Sequence, residues 1–181
     1  MSKKATAQFW DTAHRYLGHQ LKVIRQVSSH TIDSYRDCLN SFIDYLERVE
    51  NISRKKISFH NFGKETIKRY QTWMITEQGL APKTCNLRLT AIRSFLEYAA
   101  QEYLWLMPVY TDACTIAGVK TPNHAIEYFE PDEMTALLAA PSGTSRTDRR
   151  NQMMLIFLYD TAARVAEARQ VKVSDLHLDA G

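Results

Sequence analysis

Apolar side chains recur at steps of three and four residues through the first hundred positions, which is the spacing of amphipathic α-helices. The first apolar stripe predicts a helix over residues 6–25. The second predicts a helix that starts after Ser28 or Ser29, since either hydroxyl can cap the free backbone N–H groups of a first turn. The segment 51–63 that follows is polar, and we expect irregular structure there.

Two further helices are predicted before residue 104. One follows Gly63 and stops at Gly79. The next begins at Pro82, because a first helical turn tolerates proline, and it runs to about Tyr103. Four amphipathic helices of this size predict a small helical domain. The four stripes consist of Phe9, Ala13, Tyr16, Leu17, Leu21 and Ile24; Ile32, Tyr35, Leu39, Phe42, Leu46 and Val49; Ile67, Tyr70, Trp73 and Met74; and Leu89, Ile92, Leu96, Ala99 and Tyr103.

The pattern changes after residue 104. Proline and glycine interrupt residues 105–127 without a sustained period, which predicts a linker. A proline and three acids around residue 131 then predict a helix start, and the apolar stretch 148–160 predicts a helix that forms the core of a second domain. A short helix at 165–170 follows. The alternation over 176–178 predicts a β-strand with no partner, so we expect the chain to be the front part of a longer protein.

Charge is unevenly distributed between the two halves. Residues 1–104 contain 16 Lys and Arg against 10 Asp and Glu, a net of +6, whereas residues 105–181 contain 7 against 10, a net of −3. A basic first half favours a polyanionic partner, and nucleic acid is the usual one. A solvated surface with a modest excess of lysine is the alternative explanation.

Several classes of protein are disfavoured. No apolar run approaches the ~18 residues that a membrane span needs, and the N-terminus lacks the apolar region of a signal peptide, so we expect a cytoplasmic protein. Cys38, Cys85 and Cys114 are far apart, and the six histidines add no ligand spacing. We therefore expect no disulfide framework or metal site. We also expect no cofactor and no small-molecule substrate.

Four segments resemble the tyrosine recombinase (phage integrase) family. Residues 27–36 resemble the second helix of the family's N-terminal core-binding domain, and residues 79–95 resemble its last helix. Residues 128–138 resemble the start of the catalytic domain, and residues 148–168 continue it. The segments occur in the family's order and spacing over nearly the whole chain.

The resemblance implies a mainly α fold. It implies a four-helix, SAM-like core-binding domain over 1–104 that clamps DNA, a linker over 105–127, and the truncated, mostly helical start of an α+β catalytic domain over 128–181. The implied activity is site-specific DNA recombination or integration through a phosphotyrosine intermediate. Double-stranded DNA is the implied partner, with self-association on DNA in the full-length protein.

The resemblance also implies two catalytic positions. In the family a Thr-Gly-x-Arg-x-x-Glu turn carries the first catalytic arginine, which Arg164 matches, while Glu167 matches the acid. A guanidinium offers a fixed, always charged fork to the non-bridging oxygens of a phosphorane. Glu167 is expected to orient Arg164 or to satisfy backbone donors. The sequence departs from the family at Ala162, normally glycine, which puts the tightness of the turn in doubt, and at Ala166, which removes a hydroxyl.

By the same resemblance, the second and fourth helices approach the major groove. Lysine and arginine there would neutralise phosphates, and threonine or asparagine near a helix start is suited to bonding a phosphate or a base edge. The candidate DNA contacts are Thr31, Arg36, Lys83, Thr84, Asn86, Arg88 and Arg93.

Other residues that strand transfer needs are absent from the 181 residues. No His-x-x-Arg occurs, and none of the nine tyrosines has the context of the family's nucleophile; Tyr159 falls in the apolar helix. We therefore expect the chain not to complete strand transfer alone. A non-catalytic DNA-binding regulator of recombination and a helical protein-interaction module remain as alternatives.

Overall fold

Helices form the regular structure of residues 3–122 and 128–175, which the computed structural model describes, and no β-strand occurs among these residues. The mainly helical fold is therefore confirmed. The strand predicted over 176–178 lies outside the described residues. The chain divides into two compact units, Met1–Asn123 and His124–Gly181, called unit 1 and unit 2 below.

The described residues of unit 1 form five α-helices and one π-helix. Each of the four predicted helices is confirmed, although the last nine residues of the first are wound as a π-helix. The helices are α1 (Lys3–Arg15), which continues as the π-helix Tyr16–Ile24, α2 (Ser29–Arg48), α3 (Lys64–Thr76), α4 (Pro82–Glu102) and α5 (Met107–Cys114). Short 3-10 turns occur at Arg54–Lys56, Phe59–Phe62 and Leu104–Leu106.

Local chemistry accounts for the helix boundaries. The Ser28 hydroxyl accepts a hydrogen bond from the Thr31 N–H at 3.2 Å, so Ser28 is the cap of α2. Pro82 opens α4, where its missing N–H is not needed. Gly79 has a φ of +58°, a left-handed conformation that glycine adopts without a Cβ clash, and it lets the chain leave α3.

Aromatic side chains form the centre of the unit 1 core. The ring centroids of Phe42 and Phe62 are 4.8 Å apart, and those of Phe42 and Tyr70 are 5.0 Å apart. Phe95 of α4 is fully buried, with the rings of Phe9, Tyr16, Phe59 and Phe62 within 6 Å. Edge-to-face and offset contacts of this kind stabilise a core beyond its apolar area.

The segment 51–63 differs from the prediction of polar, irregular structure. Ile57, Phe59 and Phe62 are at most 2% exposed and belong to the central core. The two 3-10 turns here are too short to show a helical period in the sequence, which is why the pattern gave no signal.

The first residues of the predicted linker 105–127 also differ from the prediction, because they are helical and packed. Helix α5 begins at Met107, and Leu106, Ala113 and Ile116 are buried in the core of unit 1. Pro108 lies in the first turn of α5, where proline is tolerated, so it starts a helix rather than breaking one. The segment is helical up to residue 114 and packed against the core as far as Val119, while the domain limits themselves stay a prediction.

The described residues of unit 2 form three α-helices in the order the sequence predicts, followed by a 3-10 turn at Val173–Asp175. They are α6 (Pro131–Ala139), α7 (Arg146–Thr161) and α8 (Val165–Ala168). The sequence predicts α7 as a core helix, but Met153 and Tyr159 are 69% and 57% exposed. None of the side chains described in this unit is buried.

An ion pair at the end of α2 gives unit 1 a pH dependence that can be measured. The Glu50 carboxylate accepts hydrogen bonds from Arg69 Nε (2.8 Å), Arg69 Nη2 (3.0 Å) and the Tyr45 hydroxyl (2.6 Å). The bonds from Arg69 and then Tyr45 lower the pKa of Glu50, because they favour its charged form. Burial, above all, and the bond to Glu50 raise the pKa of Tyr45 to about 12.

We expect Glu50→Gln to lower the free energy of unfolding by about 1–2 kcal/mol at pH 7, since Glu50 is largely buried but Arg69 is half exposed. A carboxyl with a lowered folded-state pKa stabilises above its unfolded pKa, and this contribution is lost as the pH falls through the folded value. The difference between wild type and variant in urea unfolding should therefore shrink below about pH 4. A difference that stays constant down to pH 3 would contradict this assignment.

Candidate nucleic-acid interface

The first halves of α2 and α4 lie side by side and line a cleft of about 380 Å³, called the α2–α4 cleft below. Both helices begin at this end, at Ser29 and Pro82, so the partial positive charges of two helix N-termini lie there. The cleft is lined by His30, Asp33, Ser34, Asp37 and Cys38 of α2 and by Thr84, Leu87 and Arg88 of α4.

Four of the predicted DNA contacts lie in or next to this cleft. Thr84 and Arg88 line it, and Lys83 is exposed in the same turn as Thr84. Thr31 follows His30, but its hydroxyl lies 2.9 Å from the Ser28 hydroxyl and belongs to the helix cap. The structure therefore brings together residues from two helices that are about fifty positions apart in the sequence.

Arg36 lies on a different face of α2. It lines a separate cavity of about 290 Å³ between α1 and α2, together with Phe9, His14 and other side chains. Its guanidinium forms an ion pair with Asp33 one turn earlier. The structure does not place Arg36 in the cleft beside Thr84 and Arg88.

Asn86 and Arg93 bind the protein's own backbone. Asn86 Nδ2 donates to the Val119 carbonyl at 2.9 Å, and Asn86 Oδ1 accepts from the Val119 N–H at 2.8 Å. Arg93 Nε donates to the Ala113 carbonyl at 3.1 Å, and Arg93 Nη2 donates to the Ile116 carbonyl. A DNA contact by either side chain would compete with these bonds.

Sequence reasoning missed His30 and Asp37, which also line the cleft. Their spacing from Ser34, at steps of three and four, is the signal that could have placed them on one helix face. With Asp33 and Asp37 opposite Arg88, the cleft is less basic than the charge of residues 1–104 suggests. Burial raises the pKa of the Cys38 thiol, and the positive charge of Arg88 partly offsets that effect.

In unit 2, the turn between α7 and α8 presents Arg164. The Arg164 backbone N–H donates to Glu167 Oε2 at 2.8 Å, and Arg164 Nη1 donates to Glu167 Oε1 at 3.0 Å. Glu167 thus satisfies a free donor at the start of α8 and holds the guanidinium with the same carboxylate. The Arg164 side chain is 85% exposed, and within the described residues only Nη1 has an acceptor.

Ala162 adopts the left-handed conformation itself, with φ of 51° and ψ of 23°. The turn therefore forms without the family's glycine, at a conformational cost of about 1 kcal/mol for a residue with a Cβ. We expect Ala162→Gly to slow hydrogen exchange of the amides in the last turn of α7 by roughly two- to fivefold. Ala163→Gly is the matched control and should speed exchange, because Ala163 does not have a positive φ. Faster exchange in Ala162→Gly would contradict the expectation.

Among 3–122 and 128–175, no group of three or more His, Cys, Asp and Glu side chains is arranged to hold a metal ion. No helix in the same ranges is long and apolar enough to cross a bilayer.

Comparison with known proteins agrees with the helical arrangement. Residues 14–103 match the family described as phage integrase, N-terminal SAM-like domain. Tyrosine recombinase XerD of Halalkalibacterium halodurans is 35% identical over 166 residues, covering 90% of this chain and 52% of the relative. Tyrosine recombinase XerC of Staphylococcus carnosus is 27% identical over 164 residues, covering 89% and 51%. No solved structure matches the chain significantly.

The chain thus spans about half the length of the curated relatives it matches. The matched residues 14–103 contain the π-helix and α2 to α4, including every residue of the α2–α4 cleft. The matches to XerD and XerC extend over most of the chain, including part of unit 2. On these grounds the chain belongs to the tyrosine recombinase (phage integrase) family, and residues 14–103 are its N-terminal SAM-like domain.

Proposed function

We propose that this chain takes part in site-specific DNA recombination or integration, in which unit 1 binds duplex DNA and Arg164 of unit 2 contacts the scissile phosphate. Membership of the tyrosine recombinase family supports the activity, and DNA is the substrate class that the name recombinase implies. A cytoplasmic location and self-association on DNA belong to the same proposal.

The observation that carries the proposal is the α2–α4 cleft. Thr84 and Arg88 of α4 and His30 of α2 line one groove where two helix N-termini meet, and the exposed Lys83 lies beside it. Backbone N–H groups at helix N-termini and basic side chains are the usual phosphate contacts of DNA-binding proteins. Arg88 has the donor geometry that recognises guanine in the major groove.

The chemistry assigned to unit 2 follows from the Arg164–Glu167 pair. Attack on a DNA phosphodiester builds negative charge on the non-bridging oxygens, which an always charged guanidinium stabilises. Glu167 restrains that guanidinium through Nη1, and its other donors have no acceptor among the described residues. Since no His-x-x-Arg occurs in the 181 residues, we expect this chain alone to bind DNA without forming a covalent adduct.

A mobility-shift titration tests DNA binding by unit 1. The probe is a fluorescein-labelled duplex of about 30 base pairs of mixed sequence, enough for one to two turns of contact on each side of a site. We expect Lys83→Ala and Arg88→Ala each to weaken binding roughly three- to tenfold and to reduce the salt dependence by about one released counterion.

Lys55→Ala is the matched control, because Lys55 is a basic exposed residue on the 54–56 turn and does not line the cleft. Equal losses of DNA affinity in Lys55→Ala and Lys83→Ala would refute the proposal that DNA binds at the cleft. No shift at low salt would favour a protein-interaction module instead. Covalent adducts formed by this chain on a nicked substrate would refute the expectation that it does not cleave alone.

A further inference from the structure

Three side chains on α3 and α4 hold the end of α5 and the residues that follow it. Gln71 Nε2 of α3 donates to the Ala117 carbonyl at 2.9 Å. Asn86 of α4 pairs with both backbone groups of Val119, and Arg93, two turns later on α4, donates to the carbonyls of Ala113 and Ile116. The segment 113–119, called the strap below, is thus bound through its backbone at four residues.

The strap is packed as well as hydrogen bonded. Ala113 and Ile116 are 1% and 4% exposed and belong to the core of unit 1. At Gly118 an added Cβ would lie 3.0 Å from Asn86 Oδ1, so a side chain there would push against the amide that holds Val119. The strap therefore fits α4 closely at the turn next to Thr84 and Arg88.

The strap also limits how far the chain can reach from unit 1. From Val119 to Tyr128, the first described residue of unit 2, there are nine residue steps, with a maximum reach of about 31 Å. If the strap were released back to Ala113, six more steps would extend that reach by about 20 Å. A longer tether lowers the effective concentration of one unit at a site occupied by the other.

We propose that Gln71, Asn86 and Arg93 are positioning residues, which clamp the strap to α3 and α4 and so keep the tether to the Arg164-bearing unit short. The consequence for DNA rests on the proposed function, whereas the clamp itself does not. Asn86 and Arg93 act on the reaction by limiting where unit 2 can go, and the cleft residues of the same helix act by binding DNA.

Spin-label distances between the units test the clamp in the whole chain. Labels are attached at Glu77→Cys in unit 1 and Met153→Cys in unit 2, both exposed positions, in a Cys114→Ser background where the two remaining cysteines are buried. We expect Asn86→Ala and Arg93→Ala to broaden the distance distribution at least 1.5-fold. Hydrogen exchange of the Val119 amide should rise at least tenfold in Asn86→Ala, while exchange in the middle of α2 stays unchanged.

Thr90→Ala is the matched control, because the exposed Thr90 hydroxyl donates to the Asn86 carbonyl within α4 and, among the described residues, makes no hydrogen bond to the strap. Gly118→Ala disturbs the contact between Asn86 and Val119 from the strap side, because the added Cβ would lie 3.0 Å from Asn86 Oδ1. This variant tests the clamp if Asn86→Ala does not fold. A tenfold rise in Val119 exchange without any broadening would overturn the positioning role, as would a Val119 amide that exchanges at the wild-type rate in Asn86→Ala. The distances are measured with and without the duplex probe, so a wild-type chain that fails to bind DNA refutes the proposed function while the distances without DNA still test the clamp.

Discussion

Arg164→Ala should strongly lower the rate of covalent attachment to DNA when this chain is joined to the part of its XerD relative from H. halodurans that the match does not cover; the match covers 52% of that relative. The assay is adduct formation on a nicked half-site that traps the attacked strand. We expect the rate to fall at least about 100-fold, which is the usual cost of removing one donor that stabilises charge in a transition state. Duplex binding by the unaltered 181-residue chain and its Arg164→Ala variant should agree within twofold.

Two further variants separate the role of the guanidinium from that of charge alone. Arg164→Lys keeps a positive charge but loses the planar fork, so we expect it to restore little activity. Arg169→Ala removes an exposed arginine just beyond α8 and should leave the adduct rate nearly unchanged. Adduct formation by Arg164→Ala at more than a tenth of the wild-type rate would refute the role assigned to Arg164.

Phe95→Ala should produce the largest loss of stability in unit 1. The Phe95 ring is fully buried and lies within 6 Å of four other aromatic rings from α1, the π-helix and the 59–62 turn. Removing it leaves a cavity that this interlocked cluster cannot easily close, at an expected cost of about 3–5 kcal/mol. For a domain of about 100 residues this is a large fraction of the total free energy of unfolding.

Tryptophan fluorescence during urea unfolding measures this effect in unit 1 alone, because Trp10, Trp73 and Trp105 all lie there. Leu87→Ala is the matched control, since Leu87 lies on the same helix but is 46% exposed and should change the stability by less than about 1 kcal/mol. A loss below about 1.5 kcal/mol in Phe95→Ala would mean that the aromatic cluster is not the centre of the core.

The helices of unit 1 could be predicted because their signals are local. A stripe at steps of three and four residues, a Ser28 cap, Gly79 and a first-turn Pro82 all act within a few residues of each other. Helix α5 and the buried turn at Phe59–Phe62 escaped prediction because each is too short for a period to emerge. Their stability comes from packing against the rest of the core rather than from their own sequence.

The candidate site could be predicted only in part. Thr84 and Arg88 follow from the family resemblance, and both line the α2–α4 cleft. Arg36, Asn86 and Arg93 are equally polar and lie on the same two helices, yet they face a cavity beside α1 or bind the strap. Whether any of the seven touches DNA remains a prediction.

Residue types and their spacing were sufficient to predict the helix content, the order of the helices and the family. The helices depend on neighbours within one or two turns, and the family is identified by matching motifs. The role of a polar side chain on those helices depends on groups that are far away in the chain. In the sequence, Asn86 and Arg93 are simply an amide and a basic side chain on an amphipathic helix. In the fold, the strap, some twenty to thirty residues later, folds back against this helix, and its carbonyls accept hydrogen bonds from both side chains. Backbone groups that packing removes from water must find a hydrogen-bond partner, and only the folded chain determines which side chain is close enough to supply it.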